Sequence, residues 1–399
     1  MPQRTALFVL LASTLLAQTP TRVVIRAGTL LDGKGGVEHN RQIVIENGRI
    51  HSIGPARGRA DYDLDSATVM PGWIDTHVHL NWHFDANHKN VSGRETPEDS
   101  LRYTAANAKA TVQGGFTTVQ SVGAAVDATV RDKIAKTELE GPRILTSYRQ
   151  IQGTAGDPDA LRALVRRTKA DGADLIKLFA TSGLGAGGNQ TMTDEQIRAV
   201  CSEAKAIGLR TLVHAIGDSG AKASVLASCT AIEHGTFVED ATLDLMAQHG
   251  TYFDPNFLVL HNYIEDPASF NFNEDTVAKL KAALEPTAAL LQRARAHHVK
   301  VVLGTDAVSG APGRNAEEFI YRVNDGHDKP MDALISGTSL AAESLGMGKE
   351  IGMIAAGYQA DLVATDGNPL DDITAVRRVV FVMRGGAVYR NTPASHIAR

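Results

Sequence analysis

The chain has 399 residues, 43% of them hydrophobic and 21% charged, which is the composition of an ordinary folded protein and excludes a disordered or low-complexity one. That length holds one large α/β barrel of about 250 residues with a smaller unit attached. A formal net charge of −5, with no basic run and no basic patch interleaved with aromatics, argues against a nucleic-acid or anionic-membrane binder and leaves a small molecule as the expected partner.

The first residues differ from all that follow. Arg4 gives a short positive start, Thr5–Ala17 is almost wholly apolar, and small or polar residues come next. This is the pattern of a secretory signal peptide, assigned to 1–18. The apolar run is too short to span a bilayer comfortably, and no Cys follows it to take a lipid. A cleaved leader, no integral membrane anchor and a periplasmic or secreted bacterial location are therefore expected.

From Val23 to Ile53 the pattern is strand, turn, strand, with Glu46-Asn47-Gly48 as a strong hairpin signal. A matching set closes the chain at Asp361–Thr365, Val379–Met383 and Ala387–Arg390, separated by turns rich in Gly. Both ends are thus β, and residues 19–67 and 351–399 are expected to form one small β-sandwich domain around a central unit, 68–350.

In that central unit strand-like and helix-like runs alternate. Strands are predicted to end at His79, near Ser121, near Tyr148, at Thr181, Ile216 and Phe237, near Asn256 and at Asp306. Helical patterns fill the gaps at Asp99–Gln113, Asp127–Leu139, Pro158–Ala170, Asp194–Ile207, Ser219–Ala227, Ala241–His249, Glu274–His298 and from Ala316 onward. Thr193 is placed to cap the fourth of these, with Gln196 completing a capping box. Eight strands alternating with eight helices predict an α/β fold, a (β/α)8 TIM barrel, whose reactive groups gather at the C-terminal strand ends.

Those ends carry chemistry. Strand one finishes with His77 and His79, whose spacing puts two imidazoles on one face of a strand. With 14 His in 399 residues, such a pair arises by accident in about half of such chains, so its company decides. Strand four, Leu175–Ala180, holds Lys177 in an apolar run. Strand five ends with His214, strand six carries Glu233-His234-Gly235, and strand eight carries Gly304-Thr305-Asp306. Either histidine alone reads as a hydrogen-bonded core residue, and Asp306 alone as a helix cap. Lys177 is harder to place, because an ammonium inside a barrel loses several kcal/mol of hydration unless paired or neutralised. Cys201 and Cys229 fall in helical patterns without metal-ligand spacing, which excludes a Cys-based zinc site. Two unpaired buried thiols are expected, and a disulfide is conceivable only if those helices are neighbours.

Pro71-Gly72-Trp73-Ile74-Asp75-Thr76-His77-Val78-His79, Ile176-Lys177, His214-Ala215, Ile232-Glu233-His234-Gly235 and Gly304-Thr305-Asp306, in that order, resemble the amidohydrolase superfamily of metal-dependent hydrolases, and Ala360–Val363 resembles its closing β domain. Within it the chain is most similar to the Xaa-Pro dipeptidase and metallo-carboxypeptidase branch, with imidazolonepropionase-like enzymes close by. The resemblance implies a binuclear site, usually zinc: His77, His79 and Asp306 on one metal, His214 and His234 on the other, and a CO2-derived carbamate on Lys177 bridging both. Asp306 is assigned the catalytic proton transfer. An exported hydrolase of a dipeptide or N-acyl amino acid follows, with a cyclic amide or lactone substrate, or a binding barrel without catalysis, as alternatives. A homo-oligomer is expected.

The chain departs from that branch at two places. Gln152–Asp157 stands where relatives often have Gly-Gly-His-Gly, and Ile216 where they often have Tyr. Substrate-holding groups are therefore sought elsewhere, at Tyr148, Arg149, His261, Tyr263 and Arg314. Expression in a bacterium should yield a mature chain beginning near Gln18 outside the cytoplasm; N-terminal sequencing that finds an intact Met1 on exported protein would refute the leader.

Overall fold

A computed structural model describes residues 22–93 and 95–392; the expected leader lies outside them. Four strands open the described chain: β1 (Arg22–Leu31), β2 (Val37–Glu46), β3 (Arg49–Pro55) and β4 (Tyr62–Pro71). Then come β5 (Trp73–Val78), β6 (Phe116–Ser121), β7 (Arg143–Thr146), β8 (Gln150–Ile151), β9 (Leu175–Phe179), β10 (Arg210–Gly217), β11 (Ala231–Phe237), β12 (Tyr252–Asp254) and β13 (Lys300–Val301). The helices between them are α1 (Pro97–Gln113), α2 (Ala125–Ala135), α3 (Pro158–Ala170), α4 (Asp194–Ala206), α5 (Asp218–Leu226), α6 (Asp240–His249), α7 (Phe257–Glu265), α8 (Glu274–Ala296) and α9 (Glu317–Asn324). Strands β14 (Leu362–Asp366), β15 (Val379–Arg384) and β16 (Ala387–Asn391) close the chain.

Strands β5 to β13 form two parallel arcs, β5-β6-β7 and β8-β9-β10-β11-β12-β13. Backbone hydrogen bonds join the arcs where β5 meets the segment after β13: Thr76 N–H to Leu303 O at 2.9 Å, Asp306 N–H to His77 O at 2.8 Å and His79 N–H to Ala307 O at 2.9 Å. The eighth strand is thus regular only at Lys300–Val301, shorter than its apolar run suggests. Residues 302–306 form no regular strand, Ala307 makes a single bridge to Val78, and φ is +50° at Asp306.

The chain ends combine as expected, but into one sheet, ordered β16-β15-β14-β4-β1-β2-β3, where a sandwich of two sheets is expected. The sheet stays continuous because β1 pairs with β2 on one side and β4 on the other. It nevertheless folds over on itself. The β2–β3 turn meets the β15–β16 turn so closely that a Cβ on Gly48 would lie 2.5 Å from Gly385 O, and the two halves share a core of Ile25, Ile43, Leu362 and Phe381.

Helix positions follow the predicted pattern within a few residues, except α7, which the apolar period does not announce. Phe257, Leu258, Val259 and Leu260 are all buried, so the first turn of α7 shows no polar face, and polar residues appear only from His261 on. Its first free N–H groups, on Phe257 and Leu258, donate to the Glu318 carboxylate at 3.2 and 2.7 Å, a cap from 60 residues away.

The cysteines correct the expectation of free thiols: Cys201 in α4 and Cys229 just after α5 form a disulfide, with Cα atoms 5.2 Å apart. The packing of α4 against α5 brings them together. Both are buried, and the bond closes a loop of 28 residues. Cys201→Ala/Cys229→Ala should therefore cost about 3 kcal/mol, seen as a Tm lowered by several degrees. An oxidised wild type melting no higher than this variant would show that the bond does not constrain the fold.

Candidate active site

The six residues singled out from the sequence converge at one end of the arcs. Asp306 Oδ1 lies 3.3 Å from His77 Nε2 and 3.0 Å from His79 Nε2, and Lys177 Nζ lies 3.2 Å from His77 Nε2. The His234 ring centre is 5.6 Å from that of His77 and 4.7 Å from that of His214. His77, His79, Lys177 and His234 are buried, while His214 and Asp306 face a cavity.

Strand register explains most of this. Phe179, His214, Glu233 and Asp254 are direct partners across β9 to β12, so they form one layer on one face, with Lys177 two residues below Phe179. His234 breaks the rule, since a residue next to Glu233 should point to the opposite face. Its φ of +68° turns it back, and Asn256 Oδ1 accepts its N–H at 3.1 Å. Asn256, itself at φ +55°, gives its amide to Gly304 O at 3.1 Å. Gly304 has no alternative: a Cβ there would stand 1.8 Å from Asp254 Oδ2.

Beneath the histidines is a layer of carboxylates that sequence reasoning did not assign. Glu233 Oε2 sits 2.7 Å from His77 Nδ1, which leaves Nε2 facing Asp306 and Lys177. Arg322, fully buried, donates to Asp254 at 2.9 Å and Glu318 at 2.8 Å. Asp75 accepts from the N–H groups of His77 and Thr305, from Thr305 Oγ1 at 2.7 Å and from Asn315 Nδ2 at 2.7 Å. The only signals for these were a Glu beside His234 and an Asp two residues before His77. Nothing local marks Arg322.

Burial sets the electrostatics. It pushes Glu233 up to about 8 and Asp75 up to about 7, and burial with repulsion from Glu233 raises Asp254 well above the carboxylate range. Burial lowers Lys177, moving it toward the neutral amine, and holds His77 and His214 below the usual imidazole range and His234 at about 4. Asp306 goes the other way: burial opposes its charge, but His77 and His79 hold it well below the carboxylate range. The imidazoles of His77, His214 and His234, whose charge burial disfavours, an amine that burial shifts in the same sense, and an excess of buried carboxyl groups over buried cations make a donor set that fits divalent metal. One ligand atom from each of His77, His79 and Asp306 lies within 4.8 Å of the others, and His79 Nδ1 is buried without a hydrogen-bond partner.

A chamber of ≈ 170 Å³ lies over His77, Lys177 and Asp306, and a larger one of ≈ 270 Å³ adjoins it on the side of His214 and His234. Of the five residues sought as substrate-holding groups, Tyr263 lines both. The others are occupied: Arg149 pairs with Asp171, Arg314 with Glu265 and Glu317, and His261 with Asp325 while stacked on Tyr321. Tyr148, at φ +62°, lines neither chamber.

The amidohydrolase family matches residues 68–389. A solved Xaa-Pro dipeptidase with methionine bound in its active site is 31% identical, with a TM-score of 0.85, covering 93% of this chain and all of that one. Ochratoxinase of Aspergillus niger is 24% identical over 418 residues, covering 92% of this chain and 86% of the fungal protein. Imidazolonepropionase of Stenotrophomonas maltophilia is 25% identical over 420 residues, covering 91% and 94%. The chain therefore belongs to the amidohydrolase family and is a metal-dependent hydrolase of carbon–nitrogen bonds.

Proposed function

We propose that this chain is an exported binuclear amidohydrolase that cleaves the amide bond of a dipeptide or N-acyl amino acid. The observation that carries this reading is the convergence of His77, His79, Lys177 and Asp306, within 3.3 Å from one group to the next. On this reading the two arcs are one closed (β/α)8 barrel, with β7 and β8 as one interrupted strand. The likeness to an Xaa-Pro dipeptidase supports the peptide substrate, and the likeness to imidazolonepropionase favours a second reading, a cyclic amide. The buried disulfide supports an oxidising compartment outside the cytoplasm.

His77, His79 and Asp306 would hold one cation and His214 and His234 the other, zinc being the metal their nitrogen and oxygen donors suit. Such cations would polarise a carbonyl and lower the pKa of a bound water. Lys177, moved toward the neutral amine by burial, adds its lone pair to CO2 and loses a proton, which turns an amine into an anionic ligand with two oxygens. Asp306 is the carboxylate of the set that opens to the cavity, so it takes the proton of the attacking water. It then returns that proton to the leaving nitrogen, which cannot depart as an amide anion. Glu233 and Asp75 position these groups: one orients the His77 ring, the other ties the His77 backbone to Thr305, next to Asp306.

Elemental analysis of the saturated protein should give close to two divalent metals per chain, falling to about one in Lys177→Ala together with loss of most activity. A Lys177→Ala protein that kept both metals would rule out the bridging role. Asp306→Asn should keep much of its metal while kcat drops by on the order of 10²–10⁴. Turnover of an amide near the wild-type rate by metal-loaded Asp306→Asn would move proton transfer to another group.

A further inference from the structure

The larger chamber, on the His214 and His234 side, has a lining that says what kind of group it takes. Its walls are aliphatic and aromatic: Leu184 from the loop after β9, Ile216 after His214, Val259, Leu260 and Tyr263 from α7, and Leu280 from α8. Among the described residues neither this chamber nor the smaller one carries a Lys or Arg other than Lys177, and their histidines are all proposed ligands. Cations on nearby loops are spent on partners elsewhere, Arg149 on Asp171 and Arg314 on Glu265 and Glu317. Lys279, in the outer groove past Leu184, pairs with Asp275.

The remaining polar groups of the large chamber offer little to an anion. Asn256 is committed at both ends of its amide, to His234 and to Gly304. Asp306 would repel an anion. That leaves the hydroxyls of Thr236, Thr276 and Tyr263. Burial raises Tyr263 far above the usual phenol range, so it stays a neutral donor. Along the walls built by α7 and α8, away from the proposed metal ligands, a carboxylate would lose its hydration and meet no lysine or arginine, while an apolar group would only displace water.

We infer that the chamber beside His214 and His234 receives a bulky uncharged apolar group of the substrate, aromatic or branched aliphatic, and rejects a free carboxylate. This rests on the amidohydrolase reading and narrows it to amides carrying one such group on the side of the scissile bond that faces α7 and α8. The apolar surface continues outward past Leu184 to Phe237, which is 48% exposed. A long substituent would run along that groove.

The test uses the full-length metal-loaded enzyme and two amides alike except for one ring substituent, N-(para-tert-butylbenzoyl)glycine and N-(para-carboxybenzoyl)glycine. Binding is measured with the corresponding N-benzylglycines, which lack the scissile carbonyl. The neutral member should be favoured on the order of 10²-fold in both kcat/KM and Kd. Thr276→Lys on α8 and Leu184→Lys in the loop after β9 should each shrink that ratio at least tenfold, with folding checked by circular dichroism. Equal affinity, preference for the carboxylate, failure of both benzylglycines to bind, or a ratio unmoved in both folded variants overturns the inference. If the benzylglycines bind with the expected preference and neither amide is hydrolysed, the proposed N-acyl amino acid substrate fails and the assignment of the chamber stands.

Discussion

Arg322 is the charge on which the arrangement rests. It has no solvent exposure, and its guanidinium joins Asp254 at the end of β12, Glu318 of α9 and Ser336 Oγ at 3.3 Å. Glu318 in turn caps α7, whose next turn forms a wall of the large chamber. One cation thus holds two carboxyl groups, supports a helix start without a local cap and ties Asp254 to α9. Removing one partner of such a buried set leaves an uncompensated charge, a loss of about 3–5 kcal/mol. Replacing the whole set with apolar residues would avoid that loss, but it would leave α7 uncapped and the layer below His77 without its polar neighbours.

Above that layer, geometry is obtained through backbone strain. His234, Asn256 and Asp306 all have φ between +50° and +68°, a region that costs a non-glycine residue of order 1 kcal/mol or more. The three are linked, since Asn256 accepts from His234 and donates to Gly304, two residues before Asp306. Regular strands would send Glu233 and His234 to opposite faces. The turned-back backbone lets consecutive residues serve one site, Glu233 behind His77 and His234 beside it. Strain is tolerated because the strands around it are paired and buried.

What could be read from the sequence follows from the range of the interaction behind it. The alternation of strands and helices and the groups at strand ends are local patterns, and they placed all six site residues in one cluster. Helix α4 was legible because its cap, Thr193 with Gln196, lies within four residues. Helix α7 was not, because its cap comes from Glu318 and its first turn, Phe257–Leu260, is apolar and buried on every side. The Glu233 contact with His77 spans 156 positions and the Arg143 pair with Asp361 spans 218, distances at which no spacing rule operates. The disulfide was open for the same reason, as it depends on which helices become neighbours. The β domain was legible as strands from both ends, but not as one sheet, since continuity depends on β1 pairing on both edges.

The division between chemistry and recognition has a structural basis. The proposed ligands are fixed by strand ends whose positions are set by register and by the buried charge layer, so change there carries a large penalty. The large chamber is lined largely by α7, by α8 and by the loop after β9, which lie outside the two strand arcs. Where relatives are expected to carry Tyr after the fifth-strand His-Ala pair, this chain has Ile216, and Ile216 lies in the chamber wall. Exchanging a hydroxyl for a methyl-bearing side chain there removes a donor without touching the layer beneath. The same strand ends can then present one reaction to a different class of substrate, because the groups that choose the substrate are held by other contacts than those that carry out the reaction.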